Sequence, residues 1–372
     1  MRVLHLFSNS KWTGPAEPAL NLCVALRRLG VEADFACAPR SKAPVNKVVE
    51  TARDRGIEPL LRLRLNKYKH PIDNLLDTWE LNRILKTSRY DIIHCHLDND
   101  HRVAVGPARK AGIPVVRSNY EGEGFTHIKR LSEFLPHTAW LIEPSEMALE
   151  HDATTFSFPR ARMTVVPGAV DVERFDPSRE VPDGRKWLGI SPNAYVVGIV
   201  ARMQTHRRFE DFWQAIRILC DAGTDAHVIV VGRGTNQEQV GMEPVRSLGL
   251  EDRVHFPGYI EGENYVGMLR AFDVNVYLVP GSDGTCRAVR EALAMAKPAV
   301  VADRGMLREI VQHGETGYVC DGSPQSLYSH LHALSQDRAL CRRMGHAARE
   351  RALRRYSLES QAQAVQAVYA AL

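Results

Sequence analysis

Short apolar runs alternate with helical patterns along nearly the whole chain, in two series separated by one break. In the first series, residues 3–7, 34–38, 91–96, 114–118 and 138–145 read as strands. Between the first two lies a helical pattern over 18–29, with Leu22, Cys23, Leu26 and Leu29 on one face, Pro18 in the first turn and Gly30 as the stop. Strands that alternate with helices predict a parallel, doubly wound sheet. The pattern breaks over 171–189, where Pro177, Pro182 and Gly184 are expected to form a linker. A second series follows at 195–202, 226–232, 253–259, 274–280, 298–302 and 317–320, and the chain ends on an amphipathic helix. The expected architecture is therefore α/β, with two Rossmann-like domains over 1–170 and 190–355, a linker over 171–189 and a last helix over 356–372. Two such halves are expected to face each other across a cleft, a favoured place for ligands.

The chain has 372 residues, 44% of them apolar, enough for two cores. Its net charge of +4 is too mild to suggest a nucleic-acid partner, though it suits a protein that meets anions. The seven cysteines are scattered without a CxxC pair, as in reduced cytosolic proteins. The sequence opens directly on a strand pattern, and no apolar run approaches the roughly 20 residues of a membrane span, so a cytoplasmic location is expected.

The stretch 278–302 carries the chemistry. A strand pattern ends at Pro280-Gly281, a polar turn follows at 282–285, a helix pattern places Val289, Leu293 and Ala296 on one face, and a second strand begins at Ala299. The turn lies at the carboxyl end of a strand, where open α/β sheets bind ligands. Asp283 and Glu291 bracket it. A helix starting near Thr285 would carry Glu291 about 9 Å along its axis. Helix-start amides and two separated carboxylates suit an anionic ligand bearing sugars. The alternative is a polar loop before a capped helix with a solvated Glu. The series Gly232-Arg233-Gly234-Thr235-Asn236-Gln237 lacks the last glycine of a dinucleotide fingerprint, which argues against a dehydrogenase.

The pattern Asp283, seven residues, Glu291, then Ala292-Leu293-Ala294-Met295-Ala296-Lys297-Pro298 resembles the donor-binding signature of the family-4 glycosyltransferases, which have the GT-B fold. Asp283 stands where that family has Glu, and Ala296 where it has Gly. Gly305, Glu309, Ile310, Gly314 and Gly317 match its downstream pattern. Arg202, four residues, then Arg207-Arg208 resembles the family's Arg-x4-Lys-Gly, whose basic residues grip the donor diphosphate; the plain alternative is a surface basic cluster. Gly14, in Thr13-Gly14-Pro15, stands for the family's Gly-Gly loop.

The resemblance implies a retaining, metal-independent hexosyltransferase that uses a nucleotide-diphosphate sugar. It needs no cofactor, and its acceptor would be a glycan or lipid-linked glycan of a bacterial surface polysaccharide or lipopolysaccharide. Asp283, Arg202 and Arg207 are the expected catalytic group. Gly14, Gly232, Gly258, Tyr259, Gly284, Thr285, Cys286, Arg287 and Glu291 are expected to join them in binding the donor. The rival readings are a GT-B epimerase or phosphorylase and a non-catalytic sugar-nucleotide-binding protein.

His94 and His96 alternate on one strand and face the same side. No third ligand at usable spacing accompanies them, so no metal is expected. Tyr120 occupies the position of a donor-contacting His in the family; His94, His96, Asn119 and Tyr120 are the acceptor-side candidates. Arg287 and Arg290 oppose the dipole of the helix they begin. Arg287 is expected either to read an anionic group on a substrate or to pair with a neighbouring acid. Arg62, Arg64, Lys67, Lys69 and His70, with Tyr68, form a basic stretch, read either as a solvated edge or as a peripheral contact with an anionic membrane at its inner face.

Overall fold

A computed structural model describes residues 1–40, 44–280 and 286–372. Over these, the chain divides into two compact units. The first comprises Met1–Gly168 with Leu358–Leu372, and the second the residues between.

The first unit is built on six parallel strands: β1 (Arg2–Phe7), β2 (Glu32–Cys37), β3 (Ile92–Cys95), β4 (Val115–Ser118), β5 (Trp140–Glu143) and β6 (Met163–Val165), in the order β2-β1-β3-β4-β5-β6. Alternate residues of β1 go to opposite faces. Val3 and Phe7 pack with the Ala16–Arg28 and Leu358–Ala370 helices, whereas Leu4 and Leu6 pack with the Pro71–Thr87 and Asp98–Ala111 helices. With both faces covered, the strands are buried on both sides and read as almost unbroken apolar runs. The last helix contributes Ala362, Val365, Val368 and Tyr369 to this core. The three residues of β6 are too few for a pattern to betray them.

The second unit repeats the plan with β7 (Tyr195–Val200), β8 (Ala226–Val231), β9 (Val254–Gly258), β10 (Val274–Tyr277), β11 (Ala299–Ala302) and β12 (Gly317–Cys320), in the order β12-β11-β10-β7-β8-β9. Residues 171–189, expected as a linker, pack within this unit. Phe175 is buried in its core, Val181 packs against that core, and Gly184 lies so close to Gly267 that an added Cβ would come within 2.9 Å of its carbonyl oxygen. Turn-forming residues set the irregular path, but apolar residues between them fix it to the core.

In each sheet the first strand has neighbours on both sides, so the chain reverses its winding beside it. These switch points lie between β1 and β3 and between β7 and β10. Ligand crevices of open α/β sheets form outside the strand ends at such points.

Candidate active site

In the second unit, the ends of β7, β8 and β9 bring together Arg202, Gly232, Gly258 and Tyr259. Gly232 has φ +136°, and an added Cβ would stand 2.2 Å from the Ala201 carbonyl oxygen, so no other residue fits beside the turn that carries Arg202. Tyr259 is exposed and lies under the Arg233 guanidinium, 5.6 Å from its ring centre. Arg207 is buried, and its Nη1 donates to the Val279 carbonyl oxygen at 2.9 Å, tying the loop after β7 to the strand end after β10. Its Nε has no hydrogen-bond partner, and no carboxylate pairs with it among the described residues. An unpaired buried cation is costly, and this one stands at the switch point.

Asp283, Gly284 and Thr285 lie outside the described residues. The helix they were expected to open begins later, at Arg287, with Cys286 before it. The Cys286 side chain is part of the hydrophobic core, not of an open site. Glu291 therefore sits one turn into the helix, nearly fully buried. Its Oε1 accepts from Arg287 Nε at 2.7 Å and its Oε2 from the Tyr265 hydroxyl at 2.5 Å. Burial, and next the Glu291 charge, push the Tyr265 phenol well up, so it stays protonated and donates. Of the two readings of Arg287, the structure has the pairing with a neighbouring acid. Arg290 is buried with its guanidinium 5.3 Å from the Tyr356 ring centre. Tyr265, on the Gly262–Ala271 helix, was invisible to sequence reasoning, because nothing local links it to a carboxylate 26 residues on.

Two residues that replace the glycines of the resembling family keep the glycine conformation. Arg208 has φ +57° and Ala296 φ +56°. Both carry a Cβ into the left-handed region, which glycine enters without strain.

In the first unit, the switch point opens into a cavity of about 850 Å³. Asn9, Thr13 and Pro15 line it after β1, His96 to Asn99 after β3, and Asn119 to Glu121 after β4, with Lys67, Tyr68 and Lys69 and, further round, Arg102, Arg117 and His127. Gly14 lies in the turn between Thr13 and Pro15. Three of the four acceptor-side candidates, His96, Asn119 and Tyr120, line the cavity; His94 lies behind it. Asn119 is held by Glu143 at 2.9 Å and Asp152 at 3.1 Å. Burial, and then the nearby Asp152, push the Glu143 carboxyl well up. Arg117 is buried, bonded to Asp98 at 3.1 Å, and faces the Phe125 ring.

His94 and His96 do share one side of the sheet, stacked at 4.5 Å. The register pairs His5 of β1 with His94, which brings a third ring into the stack. Ligand atoms of the three rings lie within 4.8 Å of one another, a grouping that spacing along the chain could not reveal. The rings are nevertheless already engaged. His5 Nδ1 meets His96 Nε2 at 3.0 Å, His94 meets the Tyr369 hydroxyl at 2.5 Å and Ser118 Oγ at 2.8 Å, and His96 Nδ1 meets the Tyr120 hydroxyl at 2.6 Å. Among the described residues only His5 Nε2 of this stack lacks a partner. Burial pushes His5 down to about 3 and holds His94 and His96 well below the usual imidazole range, so all three are neutral at pH 7. The chain of bonds ends on Tyr120 at the cavity wall.

Comparison with known proteins agrees with this geometry. Residues 182–351 match the family described as "Glycosyl transferases group 1", and residues 13–174 match "Glycosyltransferase Family 4". The chain is 27% identical, over 63% of its length and 69% of the relative's, to the lipopolysaccharide core biosynthesis mannosyltransferase LpsB of Rhizobium meliloti. It is 25% identical, over 60% of each chain, to the UDP-Gal:alpha-D-GlcNAc-diphosphoundecaprenol alpha-1,3-galactosyltransferase of Escherichia coli. The crystal structure of Anabaena HepE in complex with UDP superposes over the whole of both chains with a TM-score of 0.81 at 18% identity, which shows a shared fold. With two doubly wound units and family matches over most of its length, this chain belongs to the family-4, group 1 glycosyltransferases and is an enzyme of the GT-B fold.

Proposed function

We propose that the enzyme moves a hexose from a nucleotide-diphosphate sugar to a glycan or lipid-linked acceptor, retaining the anomeric configuration and using no metal. The observation that carries this reading is Arg207, a buried cation at the second unit's switch point with an unpartnered Nε and no acidic partner among the described residues. A diphosphate would complete its pairing. As the glycosidic bond to the donor breaks, negative charge grows on the leaving diphosphate, and Arg207 and Arg202 stabilise it without rearranging. Glu291, oriented by Arg287 and Tyr265, keeps lone pairs for the ribose hydroxyls. Gly232, Gly258 and Tyr259 flank the base, and residues 283–285 take the sugar. Asp283 orients the sugar, and no general base is assigned. The absence of a metal rests on arginines supplying the charge that a cation would otherwise provide.

The first unit's cavity takes the acceptor. His96, Asn119 and Tyr120 offer it fixed hydrogen-bonding groups, and Lys67 and Lys69 add positive charge that suits a phosphate-linked carrier. HepE was solved with UDP, so UDP is the first nucleotide to try. The name of LpsB points to lipopolysaccharide core assembly, and that of the galactosyltransferase to a diphosphoundecaprenol-linked acceptor. We read this enzyme as working in surface polysaccharide or lipopolysaccharide assembly at the cytoplasmic side of a membrane.

The test is product analysis with EDTA present, with and without an acceptor. An axially linked donor sugar should give an axially linked product, read by NMR coupling constants. An inverted product, or activity abolished by EDTA, would overturn the mechanism; turnover of the sugar without any acceptor would favour an epimerase.

A further inference from the structure

We propose that the Pro71–Thr87 helix docks the enzyme on an anionic lipid bilayer through the face that carries Ile72, Leu75, Leu76 and Trp79. These residues are spaced i, i+3, i+4 and i+7, so they share one face, and they are 67%, 70%, 39% and 64% exposed. A helix on a protein surface ordinarily turns its polar side to water. Here two acids, Asp77 and Glu80, are buried on the other side of the helix. Asp77 is fully buried and accepts the backbone N–H groups of Arg64 and Leu65 at 2.7 and 2.9 Å, and Leu81 and Ile84 are buried beside it. The apolar face is therefore held outward by specific bonds and is not a loosely packed core face. A contiguous apolar surface of this kind marks an interaction site.

Charge names the partner. The helix's acids are turned away from the apolar face and paired: Asp73 with Arg64, and Glu80 with Arg62 and Arg83. Arg62 and Arg64, read from the sequence as either a solvated edge or a lipid contact, are the partners that hold these acids. Lys67, Lys69 and Lys86 have no acidic partner among the described residues, and they flank the apolar face at its two ends. Apolar and aromatic residues at the centre with lysines at the ends suit a layer of acyl chains under anionic headgroups. A second copy of the same face would set lysines against lysines. No helix among the described residues is long and apolar enough to cross a membrane, so attachment of this kind is interfacial. Lys67, Tyr68 and Lys69 also line the first unit's cavity, so docking sets its rim at the headgroups; only this last link rests on the acceptor reading.

The test is co-sedimentation of the full chain with phosphatidylcholine vesicles and with vesicles containing phosphatidylglycerol. Wild-type protein should bind the anionic vesicles, and Ile72→Ser/Leu75→Ser/Trp79→Ser should lower that binding about tenfold or more. Lys67→Ser/Lys69→Ser/Lys86→Ser should abolish the preference for anionic lipid. All six positions are exposed, so melting temperature and the response to nucleotide should stay as in wild type, which separates a failure of docking from a failure of the catalytic reading. Absence of vesicle binding, or equal binding by wild type and both variants, would overturn the proposal. So would a dimer in lipid-free solution that the Ser substitutions on the apolar face convert to monomer, because the face would then cover a second copy.

Discussion

Tyr265 and Arg287 hold one carboxylate between them: the Tyr265 hydroxyl donates to Glu291 Oε2 at 2.5 Å and Arg287 Nε to Oε1 at 2.7 Å. The carboxylate is thus fixed before any ligand arrives. Tyr265→Phe should cost about 1–2 kcal/mol of stability, because it leaves a buried charged acceptor short of one donor. It should weaken nucleotide binding, with little effect on which sugar is accepted. Denaturant titration and nucleotide-dependent melting measure both. Undiminished nucleotide binding would mean that the orientation of Glu291 does not matter.

Arg207→Met should separate stability from function. Removing a buried cation that lacks an acidic partner should leave the ligand-free protein as stable or more stable, by up to about 2 kcal/mol. The same change should remove most of the stabilisation by nucleotide. A variant that unfolds readily while still responding to nucleotide would assign Arg207 to the scaffold.

Ala296→Gly and Arg208→Gly should each stabilise the protein by about 1 kcal/mol. The native φ values of +56° and +57° strain a residue with a Cβ by more than glycine's extra chain entropy costs. Urea midpoints of the two variants are the measurement, and a lower midpoint for either would contradict the expectation.

His5, His94, His96 and His101 are held neutral by burial, His5 down to about 3. Their folded values lie below the unfolded one, so below about pH 6.5 the unfolded chain binds protons that the folded chain refuses. Each such histidine therefore lowers stability as pH falls, by about 1.4 kcal/mol per pH unit, from about 6.5 towards its folded value. Asp100, raised to about 7 by burial, and Glu143 act in the opposite sense. The informative quantity is thus a difference: His94→Asn should lose stability less steeply than wild type between pH 6.5 and 4.5. Parallel slopes would mean that His94 titrates normally.

Eleven of the twelve strands could be read from the sequence, because sheets covered on both faces demand apolar runs. The family signature named Arg202, Arg207 and Glu291 as donor-site candidates; the first two follow β7, and Glu291 lies within the Arg287–Ala294 helix. Long-range relationships were hidden. His5 joins His94 only through the strand register, and Tyr265 reaches Glu291 only through packing of one helix against another. The outward apolar face of Ile72, Leu75 and Trp79 was not legible, because periodicity gives the face of a helix but not which way it points. The apparent linker 171–189 misled for a related reason: turn residues describe a path and not what Phe175 touches.

The most direct measurement is a thermal-shift screen of the purified protein against UDP, GDP, ADP and dTDP and their common sugars, with EDTA present. Ligands that bind the folded state raise the melting temperature by mass action. Stabilisation by one nucleotide family is expected, lost in Glu291→Ala and in Arg207→Met. No shift with any nucleotide, or an undiminished shift in both variants, would contradict the donor site described at the end of β7 and the start of the Arg287–Ala294 helix.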